Sequence, residues 1–169
     1  MTEIVSRAMR QRLAANREGR LTAEQWRDLV SEPLAPLLIL LIPGIFIAGP
    51  LLGRLLLGRG VVVALVIALV VIAVPLTFRV WRYSNPVIEH DTLYTGPSAV
   101  TRWLFWRAET LYTASGDPVR FRRRVAPFTI LRPNTAYLVY YLQEPTTLVL
   151  LSLAPVDHPD AALWQPLDR

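Results

Sequence analysis

The chain has 169 residues and no cysteine, which excludes disulfides, thiolate metal sites and a cysteine nucleophile and leaves the redox compartment unmarked. Lysine is absent too. All 18 basic residues are arginine, a side chain that keeps its charge in any environment. The two histidines sit in Glu89-His90-Asp91 and Asp157-His158-Pro159-Asp160, and neither setting has the spacing of a metal or triad motif. Ser152 lacks a nucleophile-elbow context, and no glycine-rich loop joins a strand to a helix. These absences argue against catalysis, a resident metal and a cofactor, so the expected protein is not an enzyme.

What is present in excess is uncharged apolar sequence. Hydrophobic residues make up 53% of the chain, and mean hydropathy is +0.34. Two runs, 34–52 and 60–78, hold no charged residue, and as helices each reaches roughly 28 Å, the thickness of a bilayer core. The seven-residue connection 53–59 is too short for structure of its own, so the reading expects an antiparallel transmembrane hairpin over 34–80. Arg17, Arg20, Arg27, Arg79 and Arg82 flank its open end, against Arg54 and Arg59 in the connection. That bias puts both termini in the cytoplasm, with the chain in the inner membrane. Trp26, Trp81 and Tyr83 gather at the same end, where amphipathic rings favour the headgroup level.

Within the first run Pro36, Pro43 and Pro50 recur every seven residues, which predicts a bent helix. Gly44 with Ala48, Gly49 with Gly53 and Ala64 with Ala68 are small-residue pairs at helical spacing and are the candidates for close helix packing, within the hairpin or between copies. Neither run contains an ionisable residue, so the hairpin reads as an anchor and not as an ion or substrate path.

Residues 1–33 read as a cytoplasmic helical arm. Val5, Met9 and Leu13 form a thin apolar stripe among arginines, ending at Gly19. Thr22-Ala23-Glu24-Gln25 is a capping box that starts a second helix. Beyond Arg82 the pattern becomes extended, with strands expected near 87–93, 99–106, 109–114, 119–125, 137–143 and 148–153. The expected fold is therefore a membrane α + β protein: a helical arm, a two-helix transmembrane hairpin, and over 81–169 a small antiparallel β-barrel or sandwich.

The capping-box helix, the membrane hairpin and the closing segments Ala136-Tyr137-Leu138-Val139-Tyr140-Tyr141-Leu142 and Leu150-Leu151-Ser152-Leu153 together resemble uncharacterised bacterial two-span membrane proteins. The resemblance covers most of the chain and carries no activity with it.

One charged motif stands out, Arg120-Phe121-Arg122-Arg123-Arg124. On a regular strand Arg120, Arg122 and Arg124 share a face at intervals of roughly 6.7 Å, with Val119, Phe121 and Val125 opposite. Arg123 then falls on the apolar side, which requires a bulge or a strand end there. The ladder is the candidate contact for anionic lipid or an acidic protein partner, against the plainer reading of a solvated strand face. Nucleic acid is disfavoured as a partner. The expected function is binding or scaffolding by the β domain at the inner membrane face. The alternative is an accessory subunit of a larger transport or energy-converting complex.

Overall fold

The computed structural model describes residues 5–31, 60–97, 109–127 and 129–167, with isolated positions between 39 and 50. Among the described residues three helices, a one-turn fourth and five strands follow in the order α1 (Arg7–Arg17), α2 (Ala23–Ser31), α3 (Gly60–Arg82), β1 (Ile88–Tyr94), β2 (Glu109–Tyr112), β3 (Pro118–Arg124), β4 (Ala136–Gln143), β5 (Leu148–Pro155) and α4 (Ala161–Trp164). They form two units, one from residues Met1–Gln25 and Pro86–Arg169, the other from Trp26–Asn85.

The first unit is a closed barrel in the order β1-β2-β3-β5-β4. Neighbours are antiparallel except β3 and β5, which run parallel. Leu93, Leu111, Phe121, Tyr137, Val139 and Leu153 are at most 1% exposed and fill the interior. The hairpin between β2 and β3 turns at Gly116, whose φ of +90° a side chain would strain.

β5 sets the plan of this unit, because every residue from Val149 to Pro155 is buried. Successive side chains point to opposite faces, so both faces of the strand are covered. The outward face is met by α1. The Asn16 Nδ2 donates to Ser152 Oγ at 2.7 Å, wholly buried, and Gln25 Nε2 donates to the Leu151 carbonyl at 3.0 Å. Arg12, only 8% exposed, donates to the Val125 carbonyl and pairs with Glu24 at 3.1 Å. Val5, Met9 and Leu13 are at most 1% exposed; burying each of the larger two contributes about 1.5–3 kcal/mol.

Local sequence places this helix. Ser6 Oγ accepts from Met9 N at 3.2 Å as N-cap. Gly19, at φ +72°, ends α1 with its N–H on the Asn16 carbonyl at 2.9 Å while Arg20 N–H reaches Ala15 O at 3.0 Å. The capping box closes reciprocally, with Gln25 N donating to Thr22 Oγ1 at 3.2 Å and Thr22 N to Gln25 Oε1 at 3.0 Å.

In the second unit α3 is long and apolar enough to cross a bilayer, with mean hydropathy 2.0 over Leu65–Arg82 and 6% of that window buried. Pro75 lies inside it, and Thr77 Oγ1 donates to the Ala73 carbonyl beside the break. At its end Arg79 Nη1 donates to the Leu29 carbonyl at 3.0 Å, satisfying one of the unpaired C=O groups at the end of α2. Arg82 stacks 6.0 Å from the Tyr83 ring, and Phe78 and Trp81 lie 6.2 Å apart.

The expected architecture is corrected in three respects. Among the described residues one helix, not two, is long and apolar enough to cross a membrane, so the two-helix hairpin is withdrawn; the expected first span, 34–52, and the expected strand at 99–106 lie outside the described residues apart from isolated positions. Hydropathy reports whether a segment tolerates lipid, not whether it pairs with a neighbour. Second, residues before α2 are not a separate arm, because their apolar stripe is consumed in covering β5. Third, the β domain is neither wholly C-terminal nor wholly antiparallel: it takes α1 from the other end of the chain and closes through the parallel β3–β5 contact.

Replacing Leu13 with Ala therefore costs about 2–5 kcal/mol, read as a lowered unfolding temperature of the full chain in neutral detergent. Gln11→Ala, on the exposed side of α1, leaves that temperature unchanged. An independent arm would make both substitutions silent.

Candidate functional site

Residues paired across a ladder share a face, so the register assigns each side chain of β1, β2 and β3. Leu93, Leu111 and Phe121 point inward. Tyr94, Tyr112 and Pro118 form an outer row, and Thr110 with Arg120 forms the next. Arg122 continues the line along β3, and Arg120 and Arg122 are both exposed. Tyr94 is 39% exposed and Tyr112 37%. The Tyr112 ring lies over Gly96, where a Cβ would stand 3.1 Å from its Cε2, so a larger residue there would push the ring aside by a few tenths of an ångström.

The arginine motif does not form a three-rung ladder. The pairing of β3 with β5 shifts between Phe121 and Arg123, with Phe121 opposite Leu148, Arg123 opposite Val149 and Arg124 opposite Leu150. One extra residue reverses the alternation. Arg122 and Arg123 therefore both face outward, and Arg124 turns to the side of Leu150. There its guanidinium donates to Glu109 Oε2 at 2.9 Å, to the Ala126 carbonyl at 3.2 Å and to the Pro127 carbonyl at 2.7 Å. Arg123 pairs with Glu144 at 3.5 Å. The structure thus keeps Arg120 and Arg122 together and commits Arg124 to the fold.

Burial dominates the electrostatics around these pairs. It raises the Glu109 pKa above the usual carboxylate value despite the opposing charge and hydrogen bond of Arg124. It lowers that of Arg123 against the charge of Glu144. Tyr141, whose ring meets Phe121 edge-on at 5.8 Å, is pushed up to about 12 by burial, then by the charge and hydrogen bond of Glu89 and the charge of Asp91. The Gln143 amide nitrogen faces the same Glu89 carboxylate at 3.1 and 3.2 Å.

The remaining sequence candidates are scattered. Gly44, Ala48, Gly49, Gly53 and the side chain of Ala64 lie outside the described residues, and Ala68 is buried, 7% exposed. His90 lies against Tyr140, with ring centres 6.0 Å apart. His158 packs on Trp164 at 4.8 Å, and its Nδ1 accepts from Asp160 N at 3.1 Å. Ser152 is fully buried and accepts from Asn16. Among the described residues no group of three or more His, Asp or Glu side chains is arranged to hold a metal. The sequence reading missed Tyr94 and Tyr112. Their signal was the Leu-Tyr step at the end of each strand, in which leucine takes the core and the ring must lie outside.

No family model, no curated protein and no solved structure matches the chain. The strand order is that of a five-stranded Greek-key barrel, an architecture used for oligonucleotide and oligosaccharide binding, and architecture by itself assigns no ligand.

The raised Tyr141 pKa has a direction in stability. Its contribution is complete below pH 10 and is lost as pH rises through about 12. Tyr141→Phe has no proton to lose there, so the fall in unfolding temperature across this window is shallower in the variant than in the wild type. Parallel falls would remove Tyr141 as a cause.

Proposed function

We propose that the chain is a non-enzymatic, membrane-anchored binding or scaffolding module, held in the bilayer by α3 and presenting its barrel unit at the inner face. The observation that carries this reading is the bare apolar surface of α3. Leu69 is 68% exposed, Val74 62%, Val66 56% and Ile67 53%, and aliphatic surface so continuous is stable in lipid and not in water. Its final turn carries Arg79, Trp81 and Arg82, followed by Tyr83, the residue types that settle among headgroups. Arginine is balanced about α3, Arg54 and Arg59 before it and Arg79 and Arg82 after, so the count chooses no side; α1 before the helix and the strands after it form one unit, so the whole barrel unit, α1 included, lies on one face. The inner face therefore rests on the anionic cytoplasmic leaflet, which attracts exposed arginines beyond the helix. Ser152 is sealed in a hydrogen bond to Asn16, and His90 and His158 lie against the rings of Tyr140 and Trp164, so a structural reading of these three residues is favoured.

Membranes from expressing cells, washed with alkaline carbonate, retain the wild-type chain in the pellet. Val70→Arg with Val74→Arg, each costing about 2.5–3.5 kcal/mol at a helix centre, moves it out of the membrane fraction. Wild-type chain in the carbonate supernatant overturns the anchor. Extraction in mild detergent yields the chain alone or with copies of itself; a stoichiometric larger partner supports instead the accessory-subunit reading.

A further inference from the structure

The outer surface of the barrel is divided. Along β4 and β5 the outward residues Leu138, Tyr140, Leu142, Val149, Ser152 and Ala154 are all buried, α1 meeting β5 through Asn16 and the Tyr140 hydroxyl donating to the Trp164 carbonyl at 2.6 Å. Along β1, β2 and β3 the outward residues are not covered: Tyr94, Tyr112, Arg120 and Arg122 are exposed and Thr110 is half-buried.

Among the described residues, charge on the uncovered face is of one sign. Among the described residues neither Arg120 nor Arg122 makes an ion pair or hydrogen bond. Glu89 and Asp91 alternate with His90, Thr92 and Tyr94 and so fall on the other side of β1, and Glu109 shares the inward side of Phe121. The nearest carboxylate in sequence, Asp117, lies in the turn before Pro118 and accepts from the Ser115 hydroxyl at 2.6 Å. Residues 86–169 hold eight arginines and eight carboxylates, so this is a local segregation within a balanced unit. The bulge after Phe121 produces it by diverting Arg123 to Glu144 and Arg124 to Glu109.

We propose that this face binds the headgroups of anionic phospholipids: Arg120 and Arg122, about 6.7 Å apart along β3, contact phosphodiester oxygens, and the Tyr94 and Tyr112 rings lie at the apolar–polar boundary beside them. The proposal rests on the anchored reading above. Guanidinium is matched to phosphate by its planar fork of donors, and tyrosine joins an apolar body to a polar tip. Five residues separate Arg82 from Ile88, a reach of at most about 22 Å, so a chain anchored through α3 starts its first strand close to the headgroup layer. A nucleic-acid strand would exploit the same arginines and rings, but a unit with equal numbers of basic and acidic groups lacks the general positive field such binding draws on.

Native mass spectrometry of the full chain in neutral detergent counts the lipids it retains as short-chain phosphatidylglycerol or phosphatidylcholine is titrated in. The wild type prefers phosphatidylglycerol, and the preference falls as the Debye length shrinks from about 10 Å at 0.1 M salt to about 3 Å at 1 M. Arg120→Gln and Arg122→Gln each weaken phosphatidylglycerol retention about fivefold, and together about twentyfold or more, with phosphatidylcholine retention and unfolding temperature unchanged. Equal retention by wild type and double variant overturns the proposal, as does a salt-independent preference, which is read on the wild type alone and needs no variant to fold. Displacement of the lipid by a short single-stranded oligonucleotide, with the same arginine dependence, also overturns it in favour of nucleic acid. Carbonate extraction separates the two readings: a double variant that loses the lipid preference yet stays in the membrane supports both, a chain that stays in the membrane with no arginine dependence removes only the headgroup site, and a wild type that is extracted removes the anchor.

Discussion

β5 has no face toward water, and that constraint organises the barrel unit. A strand in a small barrel ordinarily buries one side in the interior and leaves the other in water. From Val149 to Pro155 this one is apolar or small on both sides, and its outward side demands a cover that the strands themselves do not provide. α1 supplies it from more than a hundred residues away in sequence. The buried polar atoms set its position: an unbonded hydroxyl on Ser152 or an unbonded amide on Asn16 costs about 1–3 kcal/mol, and only the observed seating brings Asn16 Nδ2 to Ser152 Oγ and Gln25 Nε2 to the Leu151 carbonyl.

Covering one half of the barrel with α1 leaves outward residues of β1, β2 and β3 exposed. A second device then sorts the charges. Four arginines lie within five residues of β3, a density that would make a strand repel itself. The shift at Phe121–Arg123 sends two of them into ion pairs, with Glu144 and Glu109, and leaves Arg120 and Arg122 outward and uncompensated. Removing the bulge would swap the structural arginine for an exposed one. Local irregularity in the backbone is thus what separates charges that hold the barrel together from charges left exposed at its surface.

Much of the local structure was legible in the residues themselves. Gly19 marked the end of α1, and Thr22 with Gln25 marked the start of α2, because caps are made by neighbours in sequence. Richness in β-branched and aromatic residues between turn signals located β1 to β5 to within a few positions. The apolar run of α3 was plain from composition. The candidate site was read less well, since Arg124 was grouped with Arg120 and Arg122 on the assumption of unbroken alternation, and neither Tyr94, just past the expected strand 87–93, nor Tyr112 was singled out as surface.

Sequence by itself determined the elements and their intrinsic chemistry: which segments are helical or extended, which are too apolar for water, and that cysteine and recognisable catalytic motifs are missing. Tertiary structure decided how those elements are used. Whether the stripe of Val5, Met9 and Leu13 meets a membrane or a strand depends on which surface is offered to it, and β5 offers one. Whether an arginine is a fold contact or a free charge depends on the register with a strand 24 or more residues away, fixed by the parallel pairing of β3 and β5. The physical reason is range: propensity, capping and hydropathy act over a few residues, whereas burial and ion pairing are settled only when distant segments compete for the same surface.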